Sequence, residues 1–123
     1  HTVLLRSDGL AVACGNNPDG RCRIPRLHHG VTYTQVSTCV SHTLFLRSDG
    51  SAVACGDNIC GICDIPPLDD GVTYAQVSAG VSHTLFLRSD GSAVACGDNI
   101  CGICDIPPLD DGVTYAQVSA GVS

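Results

Sequence analysis

The chain repeats itself. Aligned from His1, His42 and His83, it divides into three 41-residue units, 1–41, 42–82 and 83–123. The second and third units are identical throughout, and the first matches them at 27 of 41 positions. A period of this length restricts the chain to tandem supersecondary units that bury their apolar faces against one another. The span 1–123 is therefore read as one repeat domain.

Each unit has the same layout. In the second, His42 to Leu46 reads as a strand and Arg47 to Ser51 as a turn around Asp49-Gly50. Ser51 to Cys55 reads as the returning strand, and Gly56 to Gly61 as a loop. Ile65-Pro66-Pro67 is excluded from a central strand, because proline has no ladder donor. Asp69-Asp70-Gly71 marks a second turn, and Thr73 to Ser78 a third strand, with room for a short fourth.

Alternation inside the strands is weak. Leu44 and Leu46 share one face, yet Phe45 on the other face is also apolar. Such strands are covered on both sides, as in stacked blades or a β-solenoid. Asp-Gly hairpins recurring at this period favour up-and-down antiparallel sheets. The fold class expected is all-β: three tandem blades of an antiparallel β-propeller, as a partial ring or fragment. The chain begins at His1 in the middle of a motif, which reads as a fragment or a mature product.

Composition agrees. There is no Trp or Met, aromatics make up 4%, and Gly numbers 14, so the core must come from small and β-branched residues. No apolar run is long enough to span a membrane. The formal charge is -6, from 12 acids that are all Asp and 6 bases that are all Arg. A net acidic chain argues against binding a phosphate backbone, so no nucleic-acid partner is expected.

Gly80, His83, Leu87, Gly91, Gly97, Asn99 and Gly102 follow a recognisable order. His42, Leu46, Gly50, Gly56, Asn58 and Gly61 repeat it, as do His1, Leu5, Gly9, Gly15, Asn17 and Gly20. This pattern resembles the repeat of the regulator of chromosome condensation family. The resemblance implies propeller blades in a ring larger than these units supply. It also implies roles such as chromatin binding, guanine-nucleotide exchange and ligase scaffolding. Cys14, Cys55 and Cys96 stand where the family has Trp, and Cys22, Cys63 and Cys104 at its later Leu. Arg21, Ile62 and Ile103 replace its Gln, and Cys39 replaces the Gly before His42.

The nine cysteines admit three readings. They can be packed thiols. They can be disulfides: Cys14–Cys22, Cys55–Cys63 and Cys96–Cys104 share one spacing, and closing so short a loop contributes ~2–3 kcal/mol. That pairing would imply an oxidising lumenal or extracellular compartment. Third, Cys55, Cys60 and Cys63, like Cys96, Cys101 and Cys104, reproduce the plant-type iron–sulfur spacing. The first unit has Asp19 in place of the middle ligand.

No constellation points to catalysis. His1, His42 and His83 open strands, where the adjacent Ser41 and Ser82 project to opposite faces and form no nucleophile–base pair. These histidines read as repeated structural residues bridging backbone groups between blades. Gly15, Gly56 and Gly97, with Asn17, Asn58 and Asn99, are likewise structural repeat positions. Asp8, Asp49 and Asp90 are turn residues, and Asp57 and Asp98 loop caps. There is no phosphate loop and no nucleophile elbow, so the chain is read as a non-enzyme without a cofactor.

The charge is sectored. The first unit holds four Arg against two Asp, and each of the others one Arg against five Asp. Arg21, Arg23 and Arg26 thus answer to a loop that carries Asp64, Asp69 and Asp70 in the second unit. Asp105, Asp110 and Asp111 repeat that loop in the third, while His28-His29 replaces the paired Asp in the first. Repeat arrays vary loops on the face they bind with. These residues are read as partner-binding, and the function expected is a non-catalytic protein-interaction or scaffold module within a larger assembly. An iron–sulfur redox protein is one alternative, and nucleotide exchange or chromatin binding, implied by the resemblance, is another.

Overall fold

The computed structural model describes residues 2–15, 23–39, 42–56, 64–81, 83–97 and 105–121. The described strands are β1 (Thr2–Leu5), β2 (Ala11–Cys14), β3 (Tyr33–Thr38), β4 (His42–Arg47), β5 (Ala52–Gly56), β6 (Tyr74–Ala79), β7 (His83–Arg88) and β8 (Ala93–Gly97). No helix lies among the described residues. The chain is all-β, as expected.

The Asp-Gly hairpin forms where the sequence places it. The Arg47 amide donates to Ser51 O (2.9 Å), and the Gly50 amide to Arg47 O (3.0 Å). Three residues therefore make the turn, with Gly50 last at φ +84°. That is the arrangement of a turn closed by a left-handed residue, not of a two-residue hairpin. Asp49 Oδ1 accepts the Ser51 amide (3.0 Å) and hydroxyl (2.6 Å). Those two bonds hold the Asp49 carboxyl below its usual range.

The strands form one two-stranded sheet, β1-β2, and two three-stranded sheets, β3-β4-β5 and β6-β7-β8, antiparallel throughout. The solenoid alternative is thereby set aside. The three-stranded sheets straddle the repeat boundaries. β3 belongs to the first 41-residue unit, yet it pairs with β4 of the second. The register slips by one residue between Tyr33 and Gln35, and between Tyr74 and Gln76, so each first strand carries a bulge.

Pairing, not propensity, decides what becomes a strand. Tyr74–Ala79 pairs with β7. Tyr115–Ala120 has the same sequence but no such partner among the described residues, and it is not a strand. The short fourth strand has no counterpart in the described loops.

The core lies between sheets. Leu44 and Leu46 of β4 cluster with Tyr74, Val77 and Ala79 of β6 and Phe86 of β7. Leu44, Phe45 and Leu46 are all buried, which confirms strands covered on both faces. Tyr33 lies against Phe45, and Tyr74 against Phe86, each with ring centroids 4.8 Å apart. In β1, Leu4 takes the place of Phe45 and is 59% exposed.

Candidate interaction surface

A polar seam fastens one blade to the next. Buried His42 places Nε2 3.1 Å from Oγ1 of buried Thr84. Ser37 Oγ accepts the Ala79 amide, and Ser78 Oγ the Ala120 amide, both at 2.9 Å. Gln35 Nε2 donates to Ala75 O, and Gln76 Oε1 accepts the Val118 amide, both at 3.3 Å. His42 reaches the neighbouring blade, but the group it meets is the Thr84 hydroxyl and not the backbone group expected. Nδ1 of His42 and of His83 is buried without a hydrogen-bond partner among the described residues. Burial lowers the pKa of both, and for His42 the neighbouring His83 lowers it further.

Loops and hairpin turns meet along one edge. The Tyr33 amide donates to Gly9 O, and the Ser48 amide to Thr32 O, both at 2.8 Å. The segment before β3 is thus tied to the turn of its own unit and to the turn of the next. The loop itself is pinned by a tyrosine. Tyr33, Tyr74 and Tyr115 donate their hydroxyls to Pro25 O, Pro66 O and Pro107 O. Burial raises the pKa of Tyr33 and Tyr74, against the lowering influence of Arg47 and Arg88 respectively. The sequence reading missed these tyrosines, although a Tyr eight residues after a Pro in every unit was a visible signal.

The described charged residues among those read as partner-binding stand on this edge. Arg23, Arg26, His28 and His29 are exposed on the first loop, and Asp64, Asp69 and Asp70 on the second. Asp105, Asp110 and Asp111 are exposed on the third. Asp69 Oδ2 lies 3.7 Å from Nη1 of Arg88 in the following hairpin. Arg6 and Asp8 pair at 2.8 Å in the first hairpin, beside a shallow cleft walled by Leu5, Thr32 and Tyr33.

Other sequence-derived positions divide. Gly15, Gly56 and Gly97 all have positive φ, from 109° to 114°, where only glycine is at ease. Cys39 and Cys96 pack against the core cluster, and Cys55 faces Thr43 in register. His1, Asn17, Asn58, Asn99 and Arg21 lie outside the described residues. So do Cys22, Cys60, Cys63, Cys101 and Cys104, and with them one partner of each expected disulfide and most of each expected cluster. Among the described residues, no group of three His, Cys, Asp or Glu could hold a metal ion. Nor is any helix there long and apolar enough to cross a membrane.

Up-and-down sheets stacked face to face, with loops gathered on one edge, define blades of a β-propeller. The blades resemble regulator of chromosome condensation (RCC1) repeats. The family model for that repeat matches residues 33–62 and 74–103, and each match opens on the tyrosine that begins a three-stranded sheet. Among solved structures, Prp20p from Saccharomyces cerevisiae, described for its binding to Gsp1p and histones, matches with a TM-score of 0.76 and 18% identity over 98% of this chain. Human WBSCR16 matches with a TM-score of 0.67 and 19% identity over 98% of this chain. The ectodomain of the Physcomitrella patens receptor kinase CR4 matches at 0.68 and 17% over 95%. The chain spans 39%, 40% and 32% of those proteins respectively. No curated protein sequence matches it.

Proposed function

We propose that the chain is a non-catalytic protein-interaction module, a subunit of a larger assembly, whose contact surface is the loop edge. One observation carries this reading: the loops share one backbone frame, while their exposed charge changes sign between units. The Val31 amide donates to His28 O, the Val72 amide to Asp69 O and the Val113 amide to Asp110 O, each at 3.1 Å. A frame held constant beneath variable charge is what a repeat array uses to select partners.

The test is parallel capture by the wild-type chain and by a variant with Arg21, Arg23 and Arg26 all changed to Asp, at low and high salt. Proteins lost from the variant, and lost from wild type as salt rises, support the reading. Equal capture insensitive to salt refutes it.

The likeness to Prp20p favours a second reading, exchange on a small GTPase. Acceleration of nucleotide release from a panel of GTPases would replace the scaffold proposal. The disulfide pairing and the oxidising compartment it implies stay proposals of the same kind. Thiol labelling with and without reductant decides them. A visible absorption with stoichiometric iron would instead establish the cluster.

A further inference from the structure

The loop before β3 and the loop before β6 are held by matching bonds. The Ser48 amide donates to Thr32 O, and the Ser89 amide to Thr73 O, both at 2.8 Å. The Thr32 amide donates to Ser48 Oγ, and the Thr73 amide to Ser89 Oγ, both at 3.0 Å. Tyr33 is paired with Arg47 in register, as Tyr74 is with Arg88. His28 therefore stands at the backbone position of Asp69, and Arg47 at that of Arg88.

What differs is the group facing the guanidinium. Arg88 has the Asp69 carboxylate at 3.7 Å. The residue at the corresponding position of the first loop is His28, whose imidazole is never an anion, and Arg47 makes no ion pair among the described residues. Arg47 is half-buried, and its Nε, like that of Arg88, is buried without a hydrogen-bond partner. The Asp49 carboxylate feels the Arg47 charge, but its Oδ1 is engaged by Ser51, and Asp90 stands in the same relation to Arg88 and Ser92. The arrangement of Asp49 recurs at Asp90, so Asp49 does not substitute for Asp69. Residues 23–30 add Arg23 and Arg26 and no acid.

We propose that Arg47 and the loop 23–30 form a carboxylate-binding site for an acidic segment of a partner protein. The partner's side chain takes the place that Asp69 takes against Arg88. This rests on the interaction reading and specifies the partner's chemistry. A carboxylate is chosen over other anions because the sister blade fills the same position with one. A half-buried guanidinium that makes no ion pair among the described residues gains charge-assisted hydrogen bonds from it.

The experiment uses the full chain and a fluorescein-labelled hexaglutamate peptide, followed by anisotropy at low salt. Wild type binds the peptide at one site. His28→Asp installs the sister carboxylate and lowers the affinity by about tenfold or more. Asp69→His combined with Asp64→Arg, Pro67→Arg and Asp70→His gives the second loop the residues of the first and adds a second site, a gain that no unfolded variant can mimic. The proposal is overturned if His28→Asp changes nothing, if the four-residue exchange in the second loop adds no site, or if a phosphoserine peptide is preferred to hexaglutamate. Loss of partner capture in the Arg21, Arg23 and Arg26 variant, with hexaglutamate binding unmoved by His28→Asp, removes this site and leaves the interaction reading standing. The opposite result keeps the site and removes the wider surface.

Discussion

Nε2 of His42 and Oγ1 of Thr84 stand 3.1 Å apart in the interior, one residue contributed by each of two neighbouring blades. The bond is the buried centre of the polar seam between those blades, so Thr84→Val should leave the imidazole without a partner. The expected loss is about 1–3 kcal/mol, read as a lower denaturant midpoint with an unchanged slope. Loss of far less would mean that His42 finds another partner.

The same burial sets a pH dependence. His42 and His83 have folded pKa values below the ordinary histidine value of 6.5, so the unfolded chain binds protons that the fold refuses. Stability is therefore full above that value. It falls as pH drops through it, and levels off below the folded pKa values. Thermal midpoints across mildly acidic pH should show this decline, and His42→Gln should flatten it, leaving the His83 share. A slope as steep in the variant as in wild type would assign the decline to other groups.

Gly50 and Gly71 both have left-handed backbones, at φ +84° and +78°. Their surroundings differ. A Cβ on Gly50 would meet Thr73 Cβ and Cγ2 at 2.4 Å, whereas one on Gly71 meets nothing within 4 Å. Gly71→Ala should cost only the conformational penalty of about 1–2 kcal/mol. Gly50→Ala should cost more, and Thr73→Ala in the same chain should restore part of the excess. A double-mutant cycle reads that coupling directly, and additive losses would refute it.

Gly80 is crowded for another reason. A Cβ there would lie 2.7 Å from Gly121 O and 2.8 Å from His83 Nδ1. Gly80→Ala should therefore destabilise by about 1–3 kcal/mol through overpacking. The first unit carries Cys39 at this position, packed against the core cluster. The two blade junctions are thus not interchangeable, and Cys39→Ala should be milder than Gly80→Ala by the same thermal assay.

Tyr74→Phe removes the bond to Pro66 O and keeps the ring on Phe86. The expected cost is about 1 kcal/mol, since one hydrogen bond is lost from a partly buried site. Hydrogen exchange should rise in the loop 64–71 before it rises in β6. Uniform exchange across both would show that the pin does not hold the loop.

Much of this was legible before the structure. His42-Thr-Leu-Phe-Leu46 with Asp49-Gly50 behind it could only be a hairpin with two covered faces, and Pro66-Pro67 could only interrupt a sheet. The pairing of β3 with β4 was less visible, because a period shows its length and not its phase. Cutting the sequence at each His hid the fact that Tyr33 and Tyr74 open the sheets. The partner of His42 was unreadable for a related reason. Thr84 stands 42 positions away, one more than the period, and such an offset appears only once neighbouring blades are laid against each other. The Arg88–Asp69 pair was hidden similarly, since nothing in the charge count says which loop faces which turn.

Because β3 and β6 each complete a sheet begun in the following unit, no unit owns all of its own hydrogen-bond ladder. Melting one unit would strip a strand from its neighbour as well as expose the face between them. Stability in such an array resides mainly in the couplings between units, so the array should unfold in large cooperative steps and not one repeat at a time. A 41-residue copy is therefore a unit of coupling and not of folding, and where it is cut matters less than what stands beside it.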